Sequence, residues 1–62
     1  MEWKKWEGKK VFVQLKSGGV YTGKVLEVND EDTNMIWFSL LDKYENNVTF
    51  IHSEIIKIVE EE

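Results

Sequence analysis

Residues 11–28 read VFVQLKSGGVYTGKVLEV, two runs rich in Val, Leu, Phe and Tyr on either side of Ser17-Gly18-Gly19. No other stretch restricts the fold as much. Glycine takes the left-handed backbone of a tight turn without steric cost, so a Gly pair between two apolar runs predicts a β-hairpin. Gly23 lies inside the second run. A glycine there marks a bulge or a sharp bend, the device that curls a small sheet towards closure. Val11, Val13 and Leu15 alternate with Phe12, Gln14 and Lys16, which sends the first set to the core.

The hairpin sets the frame for the rest. Strand 1 is expected over residues 10–16 and strand 2 over 20–28, with the alternation slipping at Val25-Leu26 in keeping with a bend after Gly23. Residues 29–34 form a polar, acidic loop. Strand 3, over 35–41, is apolar on both faces apart from Ser39, so both faces are expected to be covered. A polar turn follows over 42–47, with Asn46 and Asn47 suited to left-handed backbone. Strand 4 spans 48–52 and strand 5 spans 55–59, joined by Ser53-Glu54 in an abrupt corner or one 3₁₀ turn. Ahead of the hairpin, Trp3 and Trp6 share one face of a helical turn over 2–7, and Gly8 suits its C-terminal stop. So short a turn must dock through its tryptophans, either over an open end of the barrel or as an aromatic platform for a partner. The sum is mostly β: a short N-terminal helix capping a strongly bent, five-stranded antiparallel SH3-like barrel, one domain over residues 1–62.

Size then raises the question of stability. A chain of 62 residues buries only about 60% of its unfolded surface. It has no cysteine and one histidine, so neither a disulfide nor a thiolate or His-rich metal site supports it. Self-association is the remaining support. No apolar run approaches the ~20 residues that span a bilayer, and no signal-peptide pattern opens the chain. The expectation is a cytoplasmic protein with no membrane partner.

At this point the chain resembles the Sm-like (LSm) family, including its bacterial Hfq branch. Gly8, Lys9, Lys10, Val11, Val13, Leu15, the Gly18-Gly19 pair, Tyr21 and Gly23 are similar to the opening of the first Sm motif, and Asp30 with Asn34 to its close. Ile51-His52-Ser53-Glu54-Ile55-Ile56 with Val59 resembles the second motif. The resemblance implies a helix-capped barrel whose strand 4 pairs with strand 5 of the next subunit in a closed homo-oligomeric ring. Two apolar strands left at open edges argue independently for a partner. The resemblance also implies binding of single-stranded, uridine-rich RNA through Asp30, Asn34 and His52. Three positions depart from the pattern. Asp32 stands where a stacking side chain is expected, His52 replaces an arginine, and Ser53 replaces a glycine.

Each candidate has a plainer reading beside it. Asp30 and Asn34 are also ordinary turn residues, and His52 at a strand end also suits a purely structural role. The 29–32 cluster suits a solvated loop as well as a weak cation site. Trp37 and Phe12 are interface residues if they point outward. The net charge is −4, yet Lys4, Lys5, Lys9 and Lys10 fall near one another in sequence, and if they gather on one side of the ring they offer RNA a basic face. Catalysis is not expected. No cysteine nucleophile exists, His52 lacks a triad context, and Ser39 and Ser53 sit in no diagnostic motif. No cofactor or metal is expected either. Two further readings stand beside the RNA ring: a ring devoted to protein–protein contact, and a monomeric SH3-like or Tudor-like module.

Overall fold

Gly18 makes the turn its position implies. In the computed structural model, which describes residues 3–61, it adopts φ +97°. Its N–H donates to the Leu15 carbonyl at 3.0 Å, and the Leu15 N–H donates to the Gly19 carbonyl at 2.9 Å. The result is a three-residue hairpin loop closed by a left-handed glycine. Five strands follow a four-residue 3₁₀ turn at Trp3–Trp6: β1 Lys10–Leu15, β2 Val20–Asn29, β3 Trp37–Asp42, β4 Asn47–Ile51 and β5 Ile55–Glu60. All pair antiparallel, in the order β4-β3-β2-β1-β5. Of the segments expected from sequence, Glu2 of the helical turn and Glu62 of the acidic tail lie outside the described residues.

The sheet is open but curled. Ile51 and Ile55, at the ends of its two edge strands, are joined by one 3₁₀ turn at His52–Glu54. Four residues reach at most ~14 Å, whereas a flat five-stranded sheet at ~4.8 Å per strand would hold its edges ~19 Å apart. Two irregularities provide curvature. The β2–β3 register shifts between Val25 and Glu27, and the β1–β5 register shifts between Gln14 and Leu15. The first is a bulge at Leu26. It explains why Val25 and Val28, three residues apart on one strand, are both fully buried. Gly23 is a different device: a Cβ there would collide with the backbone of Leu41 and Asp42, so it permits β2 and β3 to approach closely.

The concave face holds the core: Val11, Val13 and Leu15 from β1, Val25 and Val28 from β2, Phe38 and Leu40 from β3, Phe50 from β4, and Ile36 just ahead of β3. Trp3 and Trp6 pack against it. The N-terminal segment is a single 3₁₀ turn, not the α-helical cap expected, and most of its hydrogen bonds go to β2. β2 runs past the end of β1, whose last partner there is Lys24, and would otherwise leave a bare edge. Gly8 N–H donates to the Val25 carbonyl at 2.7 Å and Val25 N–H to the Lys9 carbonyl at 2.9 Å. Beyond them two side chains continue the ladder. Lys4 Nζ donates to the Val28 carbonyl at 2.9 Å, and Val28 N–H donates to Glu7 Oε2 at 2.8 Å.

Glu7 therefore makes stability respond to acid. Accepting the Val28 N–H, with Lys4 Nζ 3.4 Å away, holds its carboxyl below the ordinary value. A depressed carboxyl stabilises the fold above its unfolded value, near 4.5, and that contribution fades as pH falls through the lower folded value. Glu7→Gln keeps an acceptor for Val28 but removes the titration. Its Tm should fall less steeply than that of the parent protein below pH 4.5, followed by circular dichroism. Parallel Tm profiles would remove Glu7 as a source of acid sensitivity.

Other expectations shift slightly. Strand 3 starts at Trp37, not residue 35, because both backbone groups of Ile36 bond to His52. The left-handed residue of the β3–β4 turn is Glu45, at φ 65°, not Asn46 or Asn47. Asp42 fixes that turn, its Oδ1 accepting the N–H groups of Tyr44 at 2.9 Å and Asn46 at 2.8 Å. Nor is β3 covered on both faces: Phe38 and Leu40 are buried, while Trp37 on the convex face is 42% exposed. On β5, Ile56 and Val59 are exposed. No helix among the described residues is long and apolar enough to cross a membrane.

Candidate functional site

The loop after β2 is built by its own polar side chains. Asn29 Oδ1 accepts the Glu31 N–H at 3.1 Å, and Asp32 Oδ1 accepts the Asn34 N–H at 2.9 Å. Met35 N–H then closes a turn on the Asp32 carbonyl at 3.0 Å. Residues of this type favour such turns because a short carboxylate or amide reaches the N–H two residues on. Asp30, Glu31, Asp32 and Asn34 are all exposed. Asp32 uses its carboxylate to shape the loop. Asp30 lies 4.0 Å from Lys4 Nζ. Among the described residues the Asn34 side chain has no hydrogen-bond partner, which leaves its amide available to a ligand.

His52 ties the corner between β4 and β5 to the end of this loop. Its Nδ1 accepts the Ile36 N–H at 3.1 Å, and its own N–H donates to the Ile36 carbonyl at 2.8 Å. Because Nδ1 accepts, the ring proton sits on Nε2. The ring also lies against Trp3, with centroids 5.8 Å apart. His52 is thus a structural tie, and through Ile36 it joins the corner to the loop that carries Asn34.

Part of the N-terminal basic charge is paired within the molecule, although Lys4, Lys5 and Lys10 are exposed. Lys4 lies 3.4 Å from Glu7 and 4.0 Å from Asp30, Lys9 lies 3.5 Å from Glu60, and Lys5 sits over the Trp6 ring at 5.3 Å. Among the described residues no group of three or more His, Cys, Asp or Glu side chains is placed to hold a metal ion. Sequence reasoning missed the Lys4–Glu7 clamp on Val28, whose only local trace is an i,i+3 charge pair.

It also missed a cleft on the convex face, lined by Glu27, Asn29, Trp37, Phe38 and Ser39. Register places Asn29 opposite Trp37 and Glu27 opposite Ser39. No family model, curated protein or solved structure matches the chain.

Proposed function

We propose that this chain is a non-catalytic Sm-like ring subunit, its curled sheet an SH3-like barrel, and that the ring binds single-stranded, uridine-rich RNA. The observation that carries the reading is the double hydrogen bond between His52 and Ile36. It ties the corner that resembles the second Sm motif to the loop that resembles the close of the first. Asn34 reads the base edge through its free amide, Asp30 accepts a hydrogen bond beside it, and His52 holds the loop in place. Ring closure is supported by two strands that each leave one edge unpaired, β4 and β5, and by exposed Ile56 and Val59 on β5. Heterologous pairing of such edges closes a ring.

Native mass spectrometry tests assembly, and fluorescence anisotropy with oligo-U at low salt tests binding. The expected result is a discrete oligomer several times the 7.4 kDa chain mass, with binding that Asn34→Ala weakens by roughly 1 kcal/mol, the worth of one hydrogen bond. A 7.4 kDa particle at high concentration would remove the ring. An intact ring without binding at tens of micromolar would remove the RNA. A second reading, a ring for protein–protein contact, is favoured by one observation: Asp30, Glu31 and Asp32 are all exposed and would repeat around one rim, repelling phosphate.

A further inference from the structure

The convex face of β2 and β3 carries an exposed aromatic ring with polar side chains around it. Trp37 is 42% exposed on that face. Asn29 lies directly across β2 from it, and Ile51 across β4. Glu27 is two pairs further along, the next on the same face, opposite Ser39, a diagonal separation of about 7–8 Å from Trp37. Glu27, Asn29, Trp37 and Ser39 line a cleft open to solvent. Among the described residues every ion pair involves Lys4 or Lys9, so Glu27 has no cationic partner. Glu31 and Asp32, in the loop that continues β2, are likewise uncompensated and extend the negative field. No lysine lines the cleft, which disfavours a phosphate-bearing ligand there.

We propose that this cleft docks an arginine side chain from a basic segment of a partner protein. A guanidinium is planar. It lies flat on an indole face by cation–π attraction while its N–H groups point outward in the plane, towards acceptors at the rim of the ring. Glu27 supplies the carboxylate for a two-pronged, charge-assisted pair, and Asn29 and Ser39 supply neutral acceptors beside it. A lysine ammonium matches the charge but not the flat shape. The cleft lies on β2 and β3 and takes no lining residue from the edge strands β4 and β5. The proposal is thus independent of ring formation and of RNA binding at Asn34.

Titration of the intact protein with an arginine–glycine heptapeptide at low salt, followed by two-dimensional NMR, tests it. Saturable shifts should centre on Glu27, Asn29 and Trp37, and the matching lysine–glycine peptide should bind about threefold more weakly. Glu27→Gln and Trp37→Leu should each weaken the arginine peptide about fivefold or more, whereas Glu54→Gln, on the corner turn, should leave it unchanged. Absence of saturation up to millimolar peptide overturns the proposal. So does equal weakening by Glu54→Gln, which would mark general attraction to an acidic protein. Oligo-U shifting the same residues would assign the cleft to nucleic acid and overturn it too. Glu27→Gln is an exposed, isosteric change and keeps the test decisive if Trp37→Leu fails to fold.

Discussion

Gly23→Ala should destabilise the protein by about 3 kcal/mol, the upper end of what overpacking costs. Gly23 is buried between Val11 on β1 and Asp42 on β3. An added Cβ would fall on the Leu41 carbonyl oxygen, and would lie 2.7 Å from Asp42 Cα and 2.8 Å from Leu41 C. All three atoms are backbone, so no rotamer change relieves the contact. Relief requires β2 and β3 to separate, at the expense of their ladder. Backbone conformation contributes nothing to this cost, because Gly23 has no positive φ. Gly19→Ala is the control. Its Cβ would also meet an atom at 2.8 Å, but that atom is Tyr21 Cε2, on a side chain that can swing away, so the cost should stay below about 1 kcal/mol. Urea unfolding of the two variants separates the cases. Equal midpoints would mean that the β2–β3 approach is not what requires glycine at position 23.

The hairpin was legible because its chemistry is short-range. A left-handed glycine and a two-residue alternation are written within a few positions of one another, and Val11, Val13 and Leu15 are buried as that alternation implies. The role of Gly23 was half legible. Sequence marks a bend, but the bulge falls at Leu26, and the contact that excludes a side chain at Gly23 comes from Leu41 and Asp42 on another strand. No local pattern encodes that crossing. The N-terminal turn behaves similarly. The spacing of Trp3 and Trp6 signals a docked turn, but Lys4 and Glu7 look like a solvated pair until the Val28 backbone, 24 positions beyond Lys4, arrives between them.

The candidate site divides along the same line. Asp30, Asp32 and Asn34 read as a polar loop from composition alone, and they form one. Whether His52 is free or engaged depends on Ile36, 16 positions earlier, a distance that no spacing rule reaches. Trp37 is the clearest case. Apolar residues at both parities of strand 3 suggested cover on both sides. The Leu26 bulge instead sets Glu27 and Asn29 outward beside Trp37, and the result is a mixed polar and aromatic face. Side-chain parity is a local property only while the register is regular.

Phe38→Ala should be the most damaging single truncation. Phe38 is fully buried near the start of β3, opposite Val28 on β2 and Phe50 on β4. Its ring stacks on Phe50, with centroids 5.3 Å apart and planes 9° from parallel, and meets Trp3 edge-on at 5.7 Å and 86°. Truncation therefore removes buried area, opens a cavity and unseats two aromatic neighbours, at a cost of about 3–5 kcal/mol. A domain of this length has a total stability of roughly 3–9 kcal/mol, so the variant should be largely unfolded at 25 °C or melt far below the parent. Loss of the Trp3 contact also frees the N-terminal turn, and the near-ultraviolet dichroism of the tryptophans should collapse before the far-ultraviolet signal. Two companions bracket the effect. Phe38→Leu retains most of the volume and should cost about 1–2 kcal/mol. Trp37→Ala, one residue away on the exposed face, should cost under about 1 kcal/mol. If Trp37→Ala matches Phe38→Ala in urea, the ring of Phe38 is not what anchors β3 to the core.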